Sequence, residues 1–167
     1  MNPLRIAVVL AALFTASVAL SFVHPWGNPR SRADTPAPLM SGTNVPDDVR
    51  QVLETKCADC HSENTRWPGY SRLAPVSWFM ERDVRDGREH LNMSQWQNYI
   101  LETRVDLLSR LASEVHSGQM PLLRYVILHP RARLSPSDQQ LIYNWAKSER
   151  RQIRQQLADS QKSLLKN

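Results

Sequence analysis

Two cysteines and a histidine stand close together in the segment Cys57-Ala58-Asp59-Cys60-His61. On a helical turn, cysteines three positions apart point to the same side. Each sulfur can then form a thioether with one vinyl group of a porphyrin, and the histidine that follows can place its imidazole on the iron. The pattern C-x-x-C-H is the attachment signal of c-type haem. This segment, the haem motif, therefore predicts one covalent haem c held by Cys57 and Cys60, with His61 as an axial iron ligand.

The haem motif is also compatible with three alternatives. A redox dithiol of the thioredoxin kind belongs in a βαβ context, which the sequence does not show. A structural zinc site needs four ligands, and the chain has only two cysteines, so His61 and a distant histidine would have to complete it. The third alternative is a chance match. A non-haem binding module that uses the thiols therefore stays open beside the haem protein.

The second axial ligand is predicted to be Met120. It lies 59 residues after His61, between Gly118 and Pro121, where a proline-flanked loop can hold a thioether against iron. A methionine there could also simply fill a gap in the core. His129 is the main competitor, and four further residues are weaker candidates. These are His90, His116, Met93 and Met80.

Four aromatic residues and one arginine have two interpretations. The simpler interpretation is packing around a flat cofactor, and the sharper one is that a ring N–H, a hydroxyl or a guanidinium binds a haem propionate. For any single residue the sequence favours packing. The five residues are Trp67, Tyr70, Trp78, Trp96 and Arg82.

The N-terminus carries an export signal. Arg5 precedes an apolar run from Ile6 to Val23, which is just long enough to span a bilayer, and Trp26 follows at the interface. We predict that residues 1–24 are a signal peptide or a membrane anchor, and we favour the retained anchor. The domain is then expected on the periplasmic side of the inner membrane, or free in the periplasm if the segment is cleaved. Both locations agree with haem attachment after export.

The rest of the chain divides by composition. Residues 25–45 are rich in proline and are predicted to be an extended linker that holds the domain off the membrane. Residues 46–146 form the predicted domain, and residues 147–167 form a charged helical tail. The domain has 12 basic and 13 acidic residues, so the net charge of +5 is mostly a property of the tail and does not indicate nucleic-acid binding.

Helix signals recur along the domain, and no stretch shows the sustained alternation of apolar and polar residues that is typical of a β-strand. Pro46 begins a first helix that carries the haem motif at its C-terminal end, and Pro75 begins a second helix that runs to about His90. Ser94 is expected to open a capping box and a long helix to about residue 117. Ser135 marks a further helix start. The predicted fold is all-α.

Several segments, in order, resemble a known family, the small bacterial haem-binding domain related to c-type cytochromes. The resemblance covers about residues 46–146. It implies a helical, class I cytochrome c-like fold around one covalent haem. The matching segments are Cys57–Ser62, Trp67–Ser71, Ala74–Trp78, Arg88–Asn92, Ser117–Pro121, His129–Pro130 and Leu134–Ser135.

The resemblance also suggests how the proximal histidine is oriented. We expect the second ring nitrogen of His61 to donate to a backbone carbonyl. In class I cytochromes that carbonyl lies in the loop after the motif. The resemblance therefore places the corresponding carbonyl of this chain near Pro68 or Pro75.

The predicted function is that of a monohaem c-type cytochrome that transfers single electrons and is not an enzyme. Histidine and methionine together would saturate the iron and raise its reduction potential. The alternative is a haem-based sensor or peroxidase-like protein with an open or displaceable sixth position. The expected partners are redox proteins, and a membrane reached through the N-terminal helix. The sequence does not fix the oligomeric state.

Overall fold

The computed structural model describes residues 2–32 and 38–165, and every regular element within them is a helix. The all-helical prediction is therefore confirmed. Four short 3₁₀ turns connect the α-helices, at Pro29–Arg32, Gly69–Arg72, Met93–Asn98 and Pro130–Ala132. The α-helices are α1 (Pro3–Leu20), α2 (Asp47–Lys56), α3 (Ala58–His61), α4 (Val76–His90), α5 (Leu101–His116), α6 (Leu123–Leu128) and α7 (Pro136–Leu164).

Helix α1 is mainly apolar, with Arg5 in its first turn, and has no buried residue. The Asn2 side chain caps it by accepting a hydrogen bond from the backbone N–H of Leu4. Its 18 residues have a mean hydropathy of 2.0, so by length and composition α1 could cross a membrane. A signal sequence would meet the same criterion.

The segment predicted to be an extended spacer is packed against the helical domain in its described part. Leu39, Met40 and Val45 are buried in the main core, and the Met40 backbone N–H donates to the Met93 carbonyl at 2.8 Å. The proline content led us to expect an extended chain, but the apolar side chains between the prolines find buried positions. Residues 33–37, which include Pro36, lie outside the described residues.

Helices α2, α3 and α4 form the part of the domain that carries the haem motif. α2 begins at Asp47, one residue after the predicted start at Pro46, and packs through Val49, Val52 and Leu53. The motif was expected at the end of this helix, but the chain bends at Cys57, where φ is −123°, and a separate short helix α3 follows. α3 packs against α4.

The long helix expected from Ser94 begins seven residues later. Met93–Asn98 is a 3₁₀ turn, and α5 spans only Leu101–His116. The Ser94 hydroxyl does not cap a helix but accepts a hydrogen bond from the backbone N–H of Glu63. Trp96 turns inward and is 1% exposed, with its indole N–H bonded to a threonine hydroxyl before α2. Tertiary packing therefore overrides the local capping signal here.

Helix α7 packs along α5 and is the longest element. The helix start predicted at Ser135 is confirmed, and Ser135 forms a capping box with Asp138, the third helical residue. α7 continues without a break past residue 147, and Glu149 and Ile153 are still buried. The start of the predicted charged tail therefore contributes to the α5–α7 contact, and the residues beyond 153 are mostly exposed.

Candidate haem-binding site

A cavity of about 390 Å³ lies between α3 and α4 on one side and α5 and residues 120–125 on the other. This volume is within the usual range for small-molecule and cofactor sites. Its walls are mainly aliphatic, with contributions from Leu53, Leu91, Leu107, Leu111, Val115 and Leu134. Cys57, Cys60 and His61 all line it.

The two motif cysteines are uncharged thiols in this environment. Burial raises the pKa of Cys57 to about 12, and burial together with nearby Asp83 and Asp59 raises the pKa of Cys60 to about 12. Both thiols are free and lie in the same cavity wall. Redox dithiols instead have a cysteine with a lowered pKa, so these two thiols do not resemble a redox dithiol.

The His61 imidazole is held in a defined orientation. Its Nδ1 lies 3.1 Å from the Leu91 carbonyl oxygen, to which it donates as the Nδ1–H tautomer. Burial lowers the pKa of His61, which favours the neutral ring. The second nitrogen, Nε2, then keeps a lone pair for a metal, as an axial ligand requires.

The carbonyl that orients His61 is not where the cytochrome resemblance suggested. The expectation pointed near Pro68 or Pro75, but the acceptor is Leu91, at the C-terminal end of α4. Leu91 follows the last turn of α4 and has an extended backbone, so its carbonyl is not used by the helix. α4 therefore replaces the loop as the element that sets the ring orientation.

Gly87 allows α4 to approach the haem motif closely. A Cβ atom at this position would lie 2.6 Å from the Cys60 carbonyl oxygen and 3.1 Å from its Cβ. Only glycine fits such a backbone contact. α4 continues through Gly87 to His90.

Met120 lines the same cavity as His61. Its position follows from the turn that ends α5. Gly118 has a φ of +72°, and the backbone N–H groups of Gln119 and Met120 both donate to the Glu114 carbonyl, at 3.0 and 3.2 Å. This glycine turn folds the chain back on α5. The structure thus brings together the four residues predicted to hold the haem.

His129, the main competitor as second ligand, lies outside the cavity. Its Nε2 is 2.8 Å from the Tyr70 hydroxyl, its Nδ1 is 3.2 Å from the Tyr125 carbonyl, and its ring stacks on that of Tyr125. Both ring nitrogens therefore have protein partners. Tyr125 itself lines the cavity and donates a hydrogen bond to Asp59 at 2.7 Å.

The four weaker candidates divide into two pairs. His116 packs against Tyr143 and Met80 lies near a smaller pocket, so neither lines the main cavity. His90 and Met93 do line it. His90 is exposed, with its Nδ1 bonded to the Asp86 carbonyl, and Met93 is 1% exposed within the core.

None of the five residues considered for propionate binding lines the cavity. Trp96 belongs to the core, as the simpler interpretation predicted, and the indole N–H of Trp78 donates to the Val23 carbonyl. Arg82 lies 3.6 Å from Asp83.

The cations that do line the cavity are Lys56, Arg110 and Arg124. Lys56 is bonded to Asp138 and Arg124 to Asp83. The Arg110 side chain makes no hydrogen bond or ion pair with any described residue, which leaves its guanidinium available to a bound carboxylate.

Comparison with known proteins identifies the family of the chain. A model of the haem-binding domain family matches residues 15–148, and the chain belongs to that family. No curated protein matches the chain, and no solved structure matches it. The family match begins inside α1, about thirty residues before the start of the resemblance seen in the sequence, and it ends inside α7.

The residues of this cavity fit a haem. They supply two thiols, a neutral imidazole and a thioether around a mainly aliphatic space, and a guanidinium beside it. Within residues 2–32 and 38–165, no group of three or more histidine, cysteine, aspartate and glutamate side chains is placed to hold a metal ion. The donor set thus fits a porphyrin that brings its own four nitrogens better than it fits a protein-only zinc site.

Proposed function

We propose that this haem-binding protein is a monohaem c-type cytochrome that transfers single electrons and is not an enzyme. The observation that carries the proposal is that Cys57, Cys60, His61 and Met120 line one cavity. An iron held by histidine and methionine cycles between two oxidation states and so carries one electron at a time.

The chain's own residues would divide the work as follows. Cys57 and Cys60 would fix the ring covalently, and His61, oriented by the Leu91 carbonyl, would bind the iron. Met120 would supply a thioether as the second iron ligand, which would leave no open site for a substrate. The aliphatic walls exclude water and lower the local dielectric, which further tunes the potential.

We further propose that α1 stays attached and anchors the domain at the periplasmic face of the inner membrane, where redox partner proteins would reach it. Two observations support a retained helix. The C-terminal part of α1 contacts the domain, because the Ser17 hydroxyl donates to the Ala74 carbonyl and the Ser21 hydroxyl accepts from the Ala74 N–H. The family match also includes the last residues of α1.

The first experiment tests covalent attachment and stoichiometry. The full chain is expressed together with a haem-attachment system, and a pyridine haemochrome assay is compared with the protein concentration. We expect one haem per chain, which stays attached after denaturation. Cys57→Ser and Cys60→Ser should each lose one thioether, and the doubly substituted chain should lose the haem on denaturation. A colourless full chain with the mass of the bare polypeptide would refute the proposal.

The second experiment tests the role of Met120 and separates the carrier from a sensor or peroxidase. The oxidised protein should show the weak red band of a methionine–iron bond, and the reduced protein should not bind carbon monoxide. Met120→Leu should lose the band and gain carbon monoxide binding. Met80→Leu is the matched control, because Met80 lies outside the cavity, and it should behave like the unchanged protein. A high-spin spectrum before any substitution would favour the sensor or peroxidase.

A further inference from the structure

The domain exposes a group of large apolar side chains beside the C-terminal end of α1. They come from two segments, residues 22–26 after α1 and residues 73–79 around the start of α4. The indole of Trp78 donates to the Val23 carbonyl at 2.7 Å, and the Ala74 N–H donates to the Ser21 hydroxyl at 2.8 Å, so these two segments are adjacent. We call this group the apolar rim, and it consists of Phe22, Val23, Trp26, Leu73, Val76 and Phe79.

We propose that the apolar rim lies in the lipid surface, so that the domain rests directly on the bilayer instead of being held away from it by a linker. This inference rests on the proposed retention of α1 as a membrane helix. It adds a second membrane contact and a fixed orientation of the haem domain.

The position of α1 sets the depth of the rim. Eighteen residues span about 27 Å, close to the roughly 30 Å of a hydrocarbon core, so a spanning α1 must have Leu20 near the outer boundary. Ala74 is bonded to Ser17 and Ser21, on either side of that boundary. Leu73 and Val76 are one and two positions from Ala74 in the sequence. Their side chains therefore lie close to the depth of Ala74, at the membrane interface.

The composition of the rim suits this depth. Phe22 is 81% exposed and Phe79 is 53% exposed, which is unfavourable in water but favourable among headgroups and the first acyl carbons. Trp26 is the kind of aromatic residue that is enriched at membrane interfaces. The guanidinium groups of Arg82 and Arg85 lie over the rings of Phe79 and Trp26, at 5.6 and 5.2 Å, where they can also meet lipid phosphates.

A buried ionic cluster holds the segment after α1 in place. The Glu81 side chain is 1% exposed, and its carboxylate lies 3.0 Å from His24 Nδ1 and 3.6 Å from Arg30 Nε. Arg30 also bonds the Ser71 carbonyl, and the Pro29 carbonyl accepts from Arg88 at 3.1 Å. The chain from α1 to residue 30 is therefore fixed to α4, so the angle between the membrane helix and the haem domain is set by contacts.

Photo-crosslinking of the full chain tests the proposal. p-Benzoylphenylalanine is introduced at one position at a time, and the haem-loaded protein is placed in nanodiscs of phosphatidylethanolamine and phosphatidylglycerol. The test position is 79. Position 10, in the middle of α1, is the positive control. Position 100 is the matched control, because Ile100 is also apolar and 67% exposed but lies beyond the opposite end of α4. Unchanged haem content shows that each variant is folded.

We expect lipid adducts at positions 10 and 79, seen by mass spectrometry, and their loss at position 100. Adducts at 10 without adducts at 79 would overturn the proposed membrane contact while leaving the anchor intact. Absence of adducts at both 10 and 79 would refute the anchor itself. Equal lipid labelling at 79 and 100, or a crosslink from 79 to a second copy of the chain, would also overturn the proposal.

Discussion

Replacement of Gly87 by alanine should destabilise the protein, although alanine is the better helix former. A Cβ atom at position 87 would lie 2.6 Å from the Cys60 carbonyl oxygen, about 0.8 Å closer than ordinary contact at 3.4 Å. The obstructing atoms belong to the backbone of the haem motif, which cannot move aside as a flexible side chain would. Overpacking of this kind costs about 1–3 kcal/mol.

Helix propensity predicts the opposite sign. Gly87 lies inside α4, and alanine is favoured over glycine at such a position by about 1 kcal/mol. Combining the two effects, we expect Gly87→Ala to lower the free energy of unfolding by up to about 2 kcal/mol. At about 4 °C per kcal/mol, the melting temperature should fall by up to about 8 °C.

The assay is thermal unfolding of the haem-loaded full chain, followed by circular dichroism and by the Soret band. The same samples should show a weaker methionine–iron band, because the displaced motif moves His61 relative to Met120. Gly69→Ala is the matched control. Its φ is not in the left-handed region, and a Cβ there would meet no atom within 4 Å, so the substitution should leave both properties nearly unchanged.

The sign of the change in melting temperature tests whether α4 contacts the haem motif closely. If Gly87→Ala raises the melting temperature, as propensity alone requires, the close contact between α4 and the haem motif is not present in the native protein. The same conclusion would follow if Gly87→Ala and Gly69→Ala were indistinguishable in stability and in the red band.

Two further predictions concern charged side chains. Arg88→Met should lower the free energy of unfolding by about 3 kcal/mol, because it leaves buried acceptors without their donor. Arg66, whose side chain is 68% exposed, is the control, and Arg66→Met should lower the free energy of unfolding by less than about 1 kcal/mol. Equal changes for the two variants in urea unfolding would contradict this prediction. Burial alone would raise the pKa of Asp138, but hydrogen bonds from Lys56 and Ser135 hold it below its usual value. A carboxylate whose pKa is lower in the folded state stabilises the protein at pH values above its unfolded-state pKa, and this stabilisation is lost as the pH falls. A change from about pH 7 to about pH 3 should therefore destabilise the unchanged protein more than it destabilises Asp138→Asn. Identical acid sensitivity of the two proteins would show that this carboxylate contributes nothing.

The sequence predicted the parts of the site that depend on local spacing. The haem motif is defined by three residue types at a fixed spacing. Met120 is indicated as the second ligand by its place between Gly118 and Pro121. Ser135 and Pro136 begin α7 as their side-chain and backbone chemistry requires. In each case the residue types that determine the structure are neighbours in sequence.

The parts that could not be predicted depend on contacts between distant segments. The acceptor for His61 is a backbone carbonyl, and every residue has one, so no residue type marks Leu91. In the sequence, a glycine at position 87 indicates only a position that weakens a helix. Its role in the close packing of α4 on the haem motif is visible only from its distance to Cys60 in the structure. The expected helix start at Ser94 was wrong because burial of Trp96 outweighs a capping box.

Helix α4 explains why these distant contacts occur together. Its first two turns hold the segment after α1, through Trp78 and Glu81, and its later turns pack Gly87 against Cys60. Leu91, directly after its last turn, orients the His61 ring. A helix of 15 residues therefore connects the end of α1 with the His61 side of the cavity. If α1 spans the membrane, the haem is held at a set distance and angle from the lipid surface, which a flexible linker could not achieve.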